Sequence, residues 1–290
     1  MDFDMMYNQN NKIIMNIKDM LRRILPVAVM AVVCVLTAAA ESHYMKYVQW
    51  ADEAVAKGKY DDAIECYREA MRAEPSNPQN VMLLSNIGMI QHYEGEDSLA
   101  LRTLTDARAM APKSVVILAN RAKVLQSLGR SADALLDYDK VVEMDSTYAP
   151  VYYDRATLHL GGDRMQQAEA DALKYCTLRP ADLQGTLLMA VIYTNSGRPA
   201  DAIPLYTKLI DVKPDAVYYS ARAMCYLALD QLAEASDDIA RGLELNPLDG
   251  ELYYNRAVLN RLRYREEDAK ADARKAVELG VASARVAEFL

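Results

Sequence analysis

From Tyr44 onward the apolar and polar residues recur with a period close to 34. Set out in lines that begin at Tyr44, Val81, Val115, Ala149, Leu183, Ala216 and Gly250, the chain has a small residue at the eighth place of every line: Ala51, Gly88, Ala122, Ala156, Ala190, Ala223 and Ala257. The twentieth place is small as well: Ala63, Ala100, Ala134, Ala168, Ala202, Ala235 and Ala269. In the first half of a line, bulky apolar or aromatic residues at places 4 and 11 can bracket the small one, as Leu118 and Leu125 or Tyr219 and Tyr226 do, the spacing of one helix face. In the second half, Ala202, Tyr206 and Leu209 follow at steps of four and three, again a helical face.

A break separates the halves. In the fifth line it reads "NSGRPAD". Gly197 suits the positive φ of a helix end, and Pro199 suits the first turn of the next helix. Gly58, Gly95 and Gly129 stand in the column of Gly197. Pro75, Pro112, Pro180, Pro214 and Pro247 stop the second half, because proline removes a donor and clashes with a preceding helical turn. Pro204 is expected close to the start of its helix, where backbone N–H groups have no internal partner.

The pattern predicts an all-α chain of seven helix-turn-helix units, near 44–77, 81–114, 115–148, 149–182, 183–215, 216–249 and 250–283, within an array over 41–290. Small residues at places 8 and 20 let the two helices of a unit approach at the close end of the usual ~8–10 Å. Tyr67, Tyr138 and Tyr206 at place 24 then fill the space toward neighbouring helices. Composition agrees: 52% apolar and 26% charged residues supply a large core, and 11 Gly with 10 Pro are few for a chain of many short strands.

The first 40 residues depart from the period. Lys12, Lys18, Arg22 and Arg23 precede an uncharged run from Ile24 to Ala40 that ends in three alanines. This reads as a secretory signal cleaved after Ala40, with Met15 as the start that gives a compact basic leader. The rival reading is an uncleaved membrane anchor over residues 24–40, at the short edge of the ~17–25 residues a span needs. Val32 and Val33 before Cys34 do not fit a lipid-attachment site. The pattern resembles that of an exported, periplasmic protein of a Gram-negative bacterium; the alternative holds the array outside the cytoplasm on an inner-membrane anchor.

The remaining chain is acidic and has no basic run, which argues against nucleic acid as a partner, since that binding rests on neutralising phosphates. Cys66, Cys176 and Cys225 fall in different units, too far apart for a disulfide or a shared metal site, and are expected as buried free thiols. His43, His92 and His159 have no metal-ligand spacing. No phosphate loop, GxSxG or HExxH phrase appears. No catalytic residue, cofactor or metal is therefore expected. Asp-rich stretches such as "SDDIARGLE" read as exposed helix faces. The recurrent Arg121, Arg155, Arg222 and Arg256 at place 7 read as salt bridges between units, with stems packed on apolar surface, rather than as a ladder for an acidic ligand.

Thr186, Met189, Ala190, Tyr193, Ala202, Tyr206 and Pro214 follow the signature of the tetratricopeptide repeat, which this chain resembles over about residues 44–283. The resemblance implies a right-handed superhelical solenoid and a non-enzymatic scaffold that binds a protein or peptide in its concave groove. Groove positions of that family correspond here to Met82, Met89, His92, Ala119, Lys123, Tyr153, Thr157, Leu187, Val191, Asn195, Met224, Tyr254 and Arg261. The mixture suits an amphipathic or extended peptide better than an ionic ligand. The carboxylate clamp of chaperone-tail binders is excluded, because Ser85, Met89, Pro150 and Asp154 surround Asn120 where Lys, Asn and Arg would be needed. Two alternatives remain: an RNA-binding helical repeat of the pentatricopeptide kind, and a membrane-anchored tetratricopeptide assembly factor.

Overall fold

The computed structural model describes residues 43–289; the leader or anchor expected over residues 1–40 lies outside them. Among the described residues every regular element is helical, and none is long and apolar enough to cross a membrane. The chain divides into two compact units between Gly129 and Arg130, in the turn that halves the third line.

The first unit contains α1 (43–56), α2 (Tyr60–Ala73), α3 (Asn80–Tyr93), α4 (Asp97–Met110) and α5 (Val115–Ser127). The second contains α6 (Ser131–Met144), α7 (Ala149–Gly161), α8 (Met165–Leu178), α9 (Leu183–Asn195), α10 (Pro199–Val212), α11 (Ala216–Ala228), α12 (Leu232–Leu245), α13 (Gly250–Leu262), α14 (Glu266–Glu278), α15 (Ser283–Val286) and a closing 3-10 turn (Ala287–Phe289).

Local chemistry sets the ends. Asp182, Asp215 and Asp249 stand just before α9, α11 and α13, and each carboxylate accepts a hydrogen bond from a first-turn N–H, at 2.9 Å for Gln184, 3.0 Å for Val217 and 2.9 Å for Glu251. Such caps satisfy donors that have no partner inside the helix. The turn between paired helices always passes through a positive φ at place 15. Gly58, Gly95, Gly129 and Gly197 take it freely, while Asp163, Asp230 and Tyr264 adopt it at φ 56°, 58° and 59°. Pro204 corrects an expectation: α10 starts at Pro199, so Pro204 is inside the helix and past its first turn. It is tolerated on an exposed face, where water solvates the carbonyl left without a donor.

All of the alanines at places 8 and 20 are buried, at 0–1% exposure. Gly88 is the exception in residue type, and the reason is local. A Cβ there would come 2.7 Å from Cγ of Leu104, the residue at place 24 of that repeat. Elsewhere Tyr67, Tyr138 and Tyr206 occupy place 24 and are buried at 0–2% exposure.

Three apolar clusters of the second unit each span the two helices of one repeat and the first helix of the next. Ala156 of α7 and Ala168 of α8 share a cluster with Leu188 and Ile192 of α9. Ala190 of α9 and Tyr206 of α10 share one with Cys225 of α11. Ala223 of α11 and Ile239 of α12 share one with Leu259 of α13. In the first unit, α1, α2 and α3 pool Ala51, Ala63, Tyr67 and Ile87 in the same way. No repeat completes its core alone, so stability passes from neighbour to neighbour. Among the described residues only Cys225 of the cysteines is buried; Cys66 and Cys176 are half-buried, against the expectation that all three would be buried.

Candidate partner-binding surface

Three of the arginines at place 7, Arg155, Arg222 and Arg256, find their main partners inside their own repeat rather than in a neighbouring one. Nε and Nη2 of Arg155 donate to Oδ2 and Oδ1 of Asp171 at 2.8 and 2.7 Å. Arg222 holds Asp238 at the same two distances, and Arg256 holds Asp272 at 2.9 and 2.6 Å. The acid comes sixteen residues later, on the facing side of the second helix, and all three carboxylates are buried. Links to the preceding repeat are secondary: Arg155 to Asp139 at 2.6 Å and Arg222 to Oγ1 of Thr207 at 2.7 Å. The donors of these three arginines are committed internally rather than offered as a ladder to an anion. Asp238 also corrects the reading of "SDDIARGLE" as a wholly exposed face, being 4% exposed.

Place 23 was the missed signal. Asp137, Asp171, Asp238 and Asp272 occur in the same four lines that carry Arg at place 7, whereas Trp50, Ile87 and Met189 are matched by Cys66, Thr103 and Leu205. A second pairing was also missed. The Asn of the recurrent "NRA" phrase joins neighbouring first helices: Nδ2 of Asn120 donates to Oγ of Ser85 at 3.1 Å, and Nδ2 of Asn255 to O and Oγ of Ser220 at 3.0 Å.

What the first helices of the second unit leave outside is almost free of charge. The exposed residues of α7, α9, α11 and α13 are Pro150, Gly161, Gln184, Asn195, Val217, Met224, Ala228, Glu251 and Leu262. Only Glu251 carries a charge, and it is tied to Arg285. The second helices present Lys174, Asp201, Lys208, Asp211, Asp237 and Arg241 among their exposed residues. Val217 is 60% exposed and Met224 37%. Exposed apolar side chains also occur on the second helices, at Leu136, Leu173, Val212 and Leu245, so what sets the first helices apart is their lack of exposed charge.

The residues named from the sequence fall into three groups. Leu187, Val191, Asn195 and Met224, on α9 and α11, lie half-buried or exposed on this face. Tyr153 and Thr157 are half-buried: the Tyr153 ring packs on Tyr175 at 5.3 Å, and Oγ1 of Thr157 donates to O of Asp154. Tyr254 and Arg261 are engaged by the chain's own tail, Tyr254 beneath Arg285 and against Phe289, Arg261 paired with Glu288 at 2.8 Å.

In the first unit, Met82 and Lys123 are half-buried and Met89 packs beside Leu104. Ala119 is 3% exposed and is no surface residue, because it faces the core of α5. His92 is bound rather than presented. Its Nδ1 donates to Oδ1 of Asp97 at 2.5 Å, and Oγ of Ser127 donates to Oδ2 at 2.5 Å. The Ser127 hydroxyl, and then His92, hold the Asp97 carboxyl below its ordinary value. Serine here bonds the acid and not the histidine, so the trio lacks the nucleophile–base contact of hydrolases. Among the described residues no group of side chains could hold a metal ion.

The fold defines a class, the helical-repeat protein built of helix-turn-helix units. The tetratricopeptide-repeat family matches at residues 48–115 and again at residues 186–216, and the chain carries tetratricopeptide repeats. A tetratricopeptide repeat protein from Parabacteroides merdae is similar in structure, with a TM-score of 0.63 and 28% identity over 86% of this chain and 98% of that one. Photosystem I assembly protein Ycf3 of Prochlorococcus marinus is 27% identical over 125 residues, 42% of this chain and 72% of that protein. The "Probable UDP-N-acetylglucosamine--peptide N-acetylglucosaminyltransferase SPINDLY" of Hordeum vulgare is 28% identical over 104 residues, 33% of this chain and only 11% of that protein.

Proposed function

We propose that the protein is a non-enzymatic adaptor that holds a segment of another protein on the exposed face of its first helices, around Leu187, Val191, Asn195, Val217 and Met224. One observation carries the reading: Glu251 is the single charge among the exposed residues of α7, α9, α11 and α13. A peptide with apolar side chains loses little on leaving water there and meets no uncompensated charge. An RNA ligand would need phosphate-neutralising side chains, and these exposed positions offer none. The similarity to an assembly protein, Ycf3, is in keeping with a role in bringing other proteins together. The adaptor works outside the cytoplasm, delivered by the signal over residues 1–40 or held by it as an anchor; the mass of the protein isolated from its native cell envelope separates the two.

A photo-crosslinking residue at Met224 tests the surface against one at the exposed Lys208 of α10. Crosslinks to a partner from Met224 and none from Lys208 are expected, and Val217→Asp with Met224→Asp removes the partner while leaving the helical circular dichroism unchanged. Crosslinks from Lys208 alone overturn the proposal and move the contact to the second helices.

A further inference from the structure

Residues 283–289 lie where the first helix of an eighth repeat would begin. At the internal joints the residues in contact are 35 apart: Asn120 on Ser85, and Asn255 on Ser220. Phe289 follows Tyr254 by 35, and their rings meet edge-on at 6.1 Å. Arg285 follows Glu251 by 34. Its Nη1 and Nη2 donate to Oε1 and Oε2 at 2.5 and 2.9 Å, and its guanidinium lies 4.4 Å from the centre of the Tyr254 ring. Arg261 closes from the other side, 2.8 Å from Glu288 and 4.7 Å from the Phe289 ring centre. Val286 and Phe289 are 0% and 5% exposed, in one cluster with Ala257, Ala273 and Val281.

One turn of α-helix does not hold its form alone in water. The contacts with α13 and α14 hold it, and a short segment held only by such contacts opens at lower free energy than the packed repeats. A cover for the last apolar face would need only Val286 and Phe289. Both charged side chains of the tail nevertheless have their own partners on α13, so the surface reads a sequence: Arg-Val-x-Glu-Phe. At an internal joint Thr194 of α9 reaches Cys225 well along α11, at 3.6 Å. The same place of the last repeat, Arg261, meets Glu288 and Phe289.

We propose that the surface of α13 and α14 is a binding site for an amphipathic helix of the pattern Arg-aliphatic-x-Glu-aromatic, with the chain's own tail as its resident occupant. A partner that offers this pattern on a longer helix displaces the tail. The proposal extends the reading of the first helices as a contact surface and rests on it for the partner's arrival, though not for the site itself.

The test uses the full chain with Arg285→Ala and Phe289→Ala, which frees the tail, and a fluorescent peptide of sequence SARVAEFL read by anisotropy. The freed chain binds the peptide at least tenfold more tightly than the wild type, and Arg285→Ala alone gives a smaller gain. A peptide with Phe289→Ala loses the binding. Adding Glu251→Lys to the freed chain reverses the preference toward a peptide with Arg285→Glu. The proposal is overturned if the freed chain, melting as a folded protein, leaves the peptide unbound, or if it binds the substituted peptides equally well. Crosslinking from Met224 in the same freed chain keeps the two questions apart: partner capture there with no peptide bound sinks the site and spares the adaptor, and the reverse outcome does the opposite.

Discussion

Arg222 grips both carboxylate oxygens of Asp238, sixteen residues further along, at 2.8 and 2.7 Å, and the acid is 4% exposed. Truncating one partner strands a buried charge, so Asp238→Ala should cost about 3–5 kcal/mol. Replacing both tells a different story. The fifth repeat already carries Met189 and Leu205 at these two places, apolar and packed. Arg222→Met with Asp238→Leu should therefore come close to neutral, because a buried ion pair roughly breaks even against apolar residues of similar size. Urea unfolding of the single and double variants decides; equal losses in both would mean that the pair contributes more than the cost of stripping its water.

Ala202 is fully buried between α9 and α10, in the cluster of Tyr206 and Leu209. Ala202→Leu is expected to destabilise by about 1–3 kcal/mol through overpacking. Gly88→Ala should act in the same direction despite adding one methyl group, since Leu104 stands 2.7 Å from the new carbon and is itself buried. Equilibrium unfolding gives both values, and a gain in stability for Gly88→Ala would show that Leu104 has room to turn away.

His159 lies in α7 among Asp171, Arg155, Arg164 and Asp139. Nε of Arg164 donates to its Nδ1 at 2.9 Å, which requires that nitrogen to be unprotonated. Asp171 is 3.8 Å from Nε2, but its charge is already engaged by Arg155. Burial first, and then the two guanidinium groups, push the imidazole below its ordinary value against the pull of Asp171. The unfolded chain therefore binds this proton at a higher pH than the folded one. Stability is complete above the ordinary histidine value of about 6.5 and falls as the pH drops below it. The wild type should lose more melting temperature between pH 7.5 and 5 than His159→Gln. Asp97 and Asp182, held below the ordinary carboxylate range, act only at more acidic pH.

Tyr264 takes φ 59° with its side chain 91% exposed. The left-handed conformation strains a bulky residue that gains nothing here from packing. Four of the other six turns use glycine at this place. Tyr264→Gly should raise stability by about 0.5–1 kcal/mol, the relief of strain being partly offset by the freer unfolded chain. A thermal melt lower than the wild type would show that the exposed ring has a contact of its own.

The repeat and its helices were legible in the chain alone. Small residues at places 8 and 20, the proline column and the glycines of the turns act within a few residues, so spacing reveals them. The partner of each recurrent arginine was not legible in that way. Asp238 reads as a solvated charge, since carboxylates rarely go inside unpaired, and its burial follows from where α11 and α12 meet. Nor did the spacing show that Asp163, Asp230 and Tyr264 take the glycine conformation, which neighbouring helices enforce once packed.

For the surface, the resemblance to the tetratricopeptide repeat marked Leu187, Val191 and Met224 and Tyr254 and Arg261 alike. Only the fold set them apart, by laying Arg285 and Phe289 over the last two. A helical period records which side of one helix a residue occupies. What covers that side depends on another stretch of chain brought there by folding, and one repeat carries no record of it.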